Sequence, residues 1–116
     1  MPGERYSSNI SARFWLTGND DAYVGIGRIT LLEKIQQLGS INAAAKDMQM
    51  SYKKAWRLIE EMNQFFDEPL VVKEQGGKSG GGTQLTEKGK NLVKEFRRIE
   101  KGLVAFLQKE SSQCSF

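Results

Sequence analysis

Two serines eleven residues apart, Ser40 and Ser51, constrain this chain more than any other feature. Serine is a preferred helix N-cap because its hydroxyl accepts from an otherwise orphaned backbone N–H. Each of these serines stands directly before a run of apolar residues at helical spacing. The first opens a short helix, Ile41 to Met48, with Ile41, Ala44, Ala45 and Met48 on its inner face. The alanines let two crossing helices bring their backbones close together. The second serine opens a longer helix, Tyr52 to about Phe66, on which Ala55, Leu58, Ile59, Met62 and Phe66 follow the 3.6-residue period. Only a tight turn separates the two.

The flanking segments complete the pattern. Gly25 and Gly27 break the chain before a helical stretch from Arg28 to Leu38, striped by Ile29, Leu32, Ile35 (or Gln36) and Leu38. Gly39 ends it as a left-handed cap. After Pro69, Leu70 to Lys73 reads as a strand, Gly76 to Gly82 as a glycine-rich loop and Thr83 to Leu85 as the returning strand. Thr86 then caps a long helix from Glu87 to about Lys109. Near the start, Ile10 to Thr17 and Ala22 to Val24 flank the turn Gly18-Asn19-Asp20-Asp21 as a hairpin. The expected fold is mainly α with small β (α+β): a winged helix-turn-helix with an N-terminal β-hairpin and a long C-terminal dimerisation helix. Residues 10–109 form the domain, and residues 1–9 and 110–116 are flexible tails.

What the chain lacks narrows its chemistry. At 116 residues it is of single-domain size. It has no histidine, the commonest general base and metal ligand. Its one cysteine, Cys114, can form neither an intrachain disulfide nor a zinc cluster. Glu60 and Glu61 are adjacent on a helix, so their side chains diverge by about 100° instead of converging on a substrate. Gly77-Lys78-Ser79 resembles the end of a phosphate-binding loop, but Val72 stands where that motif needs its first glycine. Gly25-Ile26-Gly27-Arg28-Ile29-Thr30 lacks the third glycine of a dinucleotide fingerprint. Neither an enzyme nor a cofactor is expected. No apolar run reaches membrane-spanning length and no signal peptide is recognisable, which predicts a cytoplasmic location without membrane contact.

Charge placement points to double-stranded DNA. In a helix-turn-helix the third helix enters the major groove by its N-terminal end. Here that end carries Lys53, Lys54 and Arg57, while Glu60, Glu61, Asp67 and Glu68 lie towards the far end. Cations near a helix start oppose the helix dipole, so stability alone would not place them there. Ser40, Ser51 and Tyr52 are candidates for hydrogen bonds to phosphates or base edges. Trp56, beside the apolar stripe, reads as a core anchor. The wing, residues 74–84, would place Gly77, Lys78 and Ser79 at the backbone or minor groove. On the long helix, Leu92, Phe96, Ile99, Leu103 and Phe106 alternate four and three apart, a heptad seam expected to join a homodimer. The alternative is a winged-helix protein–protein interaction module without specific DNA binding.

Several strings together carry a family resemblance: Gly27-Arg28-Ile29-Thr30-Leu31-Leu32, Gly39-Ser40-Ile41, Ala44-Ala45-Lys46, Met50-Ser51-Tyr52-Lys53-Lys54-Ala55-Trp56, Glu61-Met62-Asn63, Glu68-Pro69-Leu70-Val71, Gly76 to Gly82, Leu85-Thr86 and Gly89. The chain resembles the N-terminal DNA-binding domain of the ModE family of molybdate-responsive transcription regulators, from about Ser11 to Lys109. The resemblance implies a bacterial LysR-like winged helix, a homodimer and operator binding, with Ser51 to Trp56 and the wing on DNA. Two departures stand out. Gln49 occupies a turn position where many such motifs carry glycine, so strain is expected there, and Ser79 replaces a wing glycine. Family members continue into β-barrel domains that bind molybdate, whereas this chain ends soon after the long helix. No built-in molybdate sensor is therefore expected; the protein acts constitutively, or a separate molybdate-binding partner protein supplies the signal.

Overall fold

The computed structural model describes the backbone of Glu4–Arg5 and residues 10–73 and 82–115. Glu4–Arg5 (β1) pairs antiparallel with Ser11–Ala12 (β2), and Leu16–Thr17 (β3) with Tyr23–Val24 (β4). The predicted hairpin across Gly18–Asp21 is therefore present, closed by Gly18 N–H to Ala22 O at 2.8 Å. Its first arm is broken, however: residues 11–12 turn to a different partner, β1, within the stretch expected to be a tail.

Helix α1, Ile26–Leu38, starts two residues before the expected Arg28. Gly25 is its N-cap, and Gly27 lies inside the helix instead of breaking it. Ile29, Leu31, Leu32 and Ile35 are buried, whereas Leu38 is exposed. The extra burial of Leu31 follows from position, because α1 packs against β4, α2, β6 and the long last helix. Gly39 closes α1 in the left-handed region, φ 71°, with its N–H on Ile35 O at 2.8 Å.

Helix α2, Ile41–Asp47, is capped by Ser40 Oγ, which accepts from Ala43 N–H at 3.1 Å. Ala44 and Ala45 are fully buried between helices. Gln49 has φ 58°. Its N–H reaches Lys46 O at 3.1 Å and Met50 N–H reaches Ala45 O at 3.0 Å, the paired bonds of a Schellman ending. The expected strain at Gln49 is thus located: a non-glycine side chain in the conformation that glycine adopts freely.

Helix α3, Tyr52–Met62, begins with Ser51 Oγ accepting from Lys54 N–H at 3.0 Å. It stops at Met62, not at Phe66 as periodicity suggested. The Asn63 side chain is the reason. Its Oδ1 accepts from Leu70 N–H (2.9 Å) and Val71 N–H (3.0 Å), while Nδ2 donates to Val71 O (3.1 Å). The chain must bend after Met62 to meet these partners, and Phe65 O then accepts from Asn19 N–H at 2.7 Å. Phe66 still packs against the core, but from the turn.

Val71–Lys73 (β5) and Thr83–Leu85 (β6) pair antiparallel, Val71 opposite Leu85. Thr83 N–H donates to Gly39 O at 3.0 Å, fastening β6 to the α1–α2 corner. Helix α4, Glu87–Ser111, starts where Thr86 Oγ1 accepts from Gly89 N–H at 3.0 Å. Thr86 N–H also bonds Leu70 O at 2.9 Å. The core joins all four helices to the wing strands: Val24, Ile29, Leu32, Ile41, Ala55, Ile59, Leu70, Leu85 and Phe96 are among its members.

Gly89 permits the closest approach. A Cβ there would sit 2.3 Å from Leu70 O, whereas at Gly102 on the same helix it would meet nothing within 4 Å. Gly89→Ala is expected to lower stability by about 1–3 kcal/mol through overpacking. Gly102→Ala should instead raise it by about 1 kcal/mol through helix propensity. Urea denaturation of both variants checks the pair; equal effects at the two positions would contradict this packing.

Candidate nucleic-acid interface

Core packing decides which side of α3 faces outward. Ala55, Ile59 and Met62 point inward and are buried. Ser51, Tyr52, Lys53, Lys54, Arg57 and Glu60 are left exposed. Five of the residues predicted for DNA contact therefore share the first half of one helix and the residue capping it. Ser51, Lys53, Lys54, Trp56, Arg57 and Glu60 line one shallow surface groove. Ser40, at the start of α2, is half-buried. The oxygens of Ser40 and Ser51 already accept cap bonds, so each hydroxyl still has its hydrogen to donate. Gly77, Lys78 and Ser79 lie outside the described residues.

The acidic half of α3 is not simply solvated. Glu61 Oε1 accepts from Arg28 Nη2 at 2.9 Å and Oε2 accepts from Arg57 Nη1 at 2.9 Å. Arg28 also donates to Leu58 O at 3.4 Å and sits over the Phe65 ring, 5.1 Å from its centroid. Arg57 is thereby held along the helix by a carboxylate that α1 fixes from the other side. Sequence periodicity pairs Arg57 with Glu61 at i,i+4, but it contains no signal for Arg28, which is 33 residues away in the chain. The Arg28 hydrogen bond, reinforced by Arg57, holds the Glu61 carboxyl below the usual carboxylate range against a smaller effect of burial.

Trp56 is half-buried and packs against the core, as expected of an anchor, but it also carries a cation that sequence reading did not find. Lys73 Nζ, from β5, stands 4.5 Å from its ring centroid.

The predicted seam on α4 divides. Phe96 is only 1% exposed and stacks on Phe14, ring centroids 4.5 Å apart and planes 16° from parallel. Leu92 packs against the same core. Phe96 belongs to the chain's own interior, where Phe14 from the N-terminal segment covers it, while Leu92 is half-buried at the edge of the core. Ile99 and Phe106 remain 37% and 59% exposed, with Leu103 half-buried between them. Arg97, flanking this boundary, donates to Glu33 through Nε (3.0 Å) and Nη2 (2.6 Å) and to Glu100 through Nη1 (2.8 Å). Among the described residues no cluster of acidic or cysteine side chains could hold a metal ion, and no helix is long and apolar enough to cross a membrane.

A carboxyl group whose pKa is lower in the folded than in the unfolded chain adds stability at neutral pH, and loses that contribution as pH falls through the depressed value. Glu61 is such a group. Melting temperatures followed from about pH 7 to about pH 3 should fall more steeply for the wild type than for Glu61→Gln. Parallel curves would mean that the Arg28–Glu61–Arg57 cluster adds nothing.

Comparison with known proteins agrees with this geometry. Residues 26–90, from the start of α1 into the first turn of α4, match the family model described as bacterial regulatory helix-turn-helix protein, lysR family. The chain is 53% identical over 73 residues to the molybdenum transport protein ModE of Azotobacter vinelandii, covering 63% of this chain and 27% of that protein. It is 46% identical over 74 residues to the transcriptional regulator ModE of Haemophilus influenzae, covering 64% and 29%. It is 50% identical over 66 residues to the DNA-binding transcriptional dual regulator ModE of Escherichia coli K12, covering 57% and 25%. The chain thus spans between a quarter and a third of the length of these curated relatives. With the matched segment running from the start of α1 through α2, α3 and both wing strands into the first turn of α4, more than half of the chain, the chain belongs to the lysR family of bacterial regulatory helix-turn-helix proteins.

Proposed function

We propose that this protein regulates transcription by binding a specific double-stranded DNA site, with α3 (Tyr52–Met62) in the major groove. The observation that carries the reading is the asymmetry of α3. Lys53, Lys54 and Arg57 are exposed near its start, beside the capping Ser51 and the exposed Tyr52, while the acidic Glu61 further along is engaged by two arginines. A helix entering the groove by its N-terminal end presents that first half to bases and phosphates. Ser40 serves as a phosphate contact at the start of α2. Gly77, Lys78 and Ser79 serve as wing contacts to the backbone or minor groove.

Two copies assemble through the outer half of α4, where Ile99, Leu103 and Phe106 continue the seam beyond the intramolecular core. The support is this exposed apolar spacing on a 25-residue helix. Such a dimer suits a pseudo-palindromic site. The names of several relatives tie those proteins to molybdenum; here a molybdate-binding partner protein is the proposed source of an effector signal.

Fluorescence anisotropy with a labelled duplex from the region upstream of the chain's own gene tests the proposal, with a scrambled duplex as control and both titrated across a salt series. Preferential binding that weakens steeply with salt is expected, because phosphate contacts release counterions. Lys53→Ala and Arg57→Ala should each weaken it by about tenfold. Absence of binding to either duplex at low salt would leave the protein-interaction module as the better reading.

A further inference from the structure

Trp56 lies on α3 between Lys53, one turn before it, and Arg57, which follows it. One part of its side chain meets the core and another lines the groove that holds Ser51, Lys53, Lys54 and Arg57. Over its ring stands the ammonium of Lys73, the last residue of β5, at 4.5 Å from the centroid. The ring's quadrupole attracts the cation and restrains a four-carbon chain that would otherwise sample many rotamers.

The nature of the restraint matters. Arg57 is held by a carboxylate, so its charge is partly satisfied and an incoming anion must compete with Glu61. Lys73 is held by a neutral ring and has no carboxylate partner among the described residues. Among the described residues no group neutralises its charge, and the ammonium hydrogens turned away from the ring can donate to an incoming anion. Through Trp56, which lines the groove of Lys53 and Arg57, this cation joins the wing strand to α3.

We propose that Lys73 is a further DNA-phosphate contact and that Trp56 is its positioning residue, a role resting on the DNA-binding function proposed above. One phosphate is then shared between the base of the wing and the reading helix. Phosphate contacts set register and orientation on the duplex, so this one fixes how far the two elements sit apart on the DNA.

The test compares Lys73→Ala, Lys73→Arg, Trp56→Phe, Trp56→Leu and the Lys73→Ala/Trp56→Leu double variant with the wild type, in the anisotropy salt series on the upstream duplex. Removing one phosphate contact should make the slope of log affinity against log salt shallower by about 0.9. Over a rise from about 50 to about 200 mM salt, Lys73→Ala should therefore lose about threefold less affinity than the wild type. Lys73→Arg should keep the full slope, and Trp56→Phe, which retains an aromatic face, should keep the affinity. Trp56→Leu should reproduce the slope of Lys73→Ala, with no further change in the double variant.

In the free protein, the ε-methylene protons of Lys73 should resonate upfield through the ring current of Trp56 and lose that shift in Trp56→Leu. An unchanged salt slope in Lys73→Ala, or additive losses in the double variant, overturns the proposal while leaving DNA binding intact. A wild type that binds neither duplex overturns both together. If Trp56→Leu does not fold, the slope of Lys73→Ala and the affinity of Trp56→Phe still decide.

Discussion

The backbone of Leu70 is where the fold is tied together. Its N–H is taken by Asn63 at the end of α3, its carbonyl by Thr86 at the start of α4, and its carbonyl oxygen fills the space that Gly89 leaves open. Buried peptide groups need partners, and this residue finds them on both flanking helices. The wing strands therefore do not hang from the helical core as an appendage. They leave α3 and enter α4 through one hydrogen-bonded junction, and the bond from Thr83 to Gly39 adds a third attachment at the α1–α2 corner. The relation between α3 and the wing strands is set at this point.

Much of this architecture was legible because it is local. As caps, Ser40, Ser51 and Thr86 each accept from the N–H three residues ahead, and Gly39 closes the helix it follows. Side-chain chemistry over such short spans is readable without knowing what lies across the core. The misreadings share the opposite property. α3 stops at Met62 because Asn63 reaches seven and eight residues ahead, outside any helical period. Leu31 is buried because β6 and α4, distant in sequence, pack on α1 as well as its chain neighbours, while Leu38 at the last turn stays exposed. Phe96 belongs to the interior because Phe14, from the other end of the chain, lies against it.

The same distinction holds at the candidate interface. The cluster of cations at the start of α3 is visible as a string of letters, since residue type and helix position are enough to place them outward. How they are held is not visible. Glu61 is shared between a neighbour one turn away and Arg28 on another helix. Trp56 was correctly assigned to the core side, yet its second role as the seat of Lys73 arises only when β5 comes alongside α3. A charge pattern on one helix shows which ligand is favoured; the restraint on each charge comes from tertiary neighbours.

The grip of Arg97 on Glu33, with Phe96 stacked on Phe14 one residue earlier, has a mechanical consequence. Helix α4 is engaged firmly over its first half and bare over its second, so it is a shaft seated in a socket. At Arg97 two hydrogen bonds to one carboxylate oppose rotation of α4 about its axis relative to α1. Helix α1 in turn packs on α2, and α2 on α3, with Ala44 and Ala45 buried between the helices. The outer half of α4 and the exposed face of α3 are thereby joined by an unbroken path of packed helices.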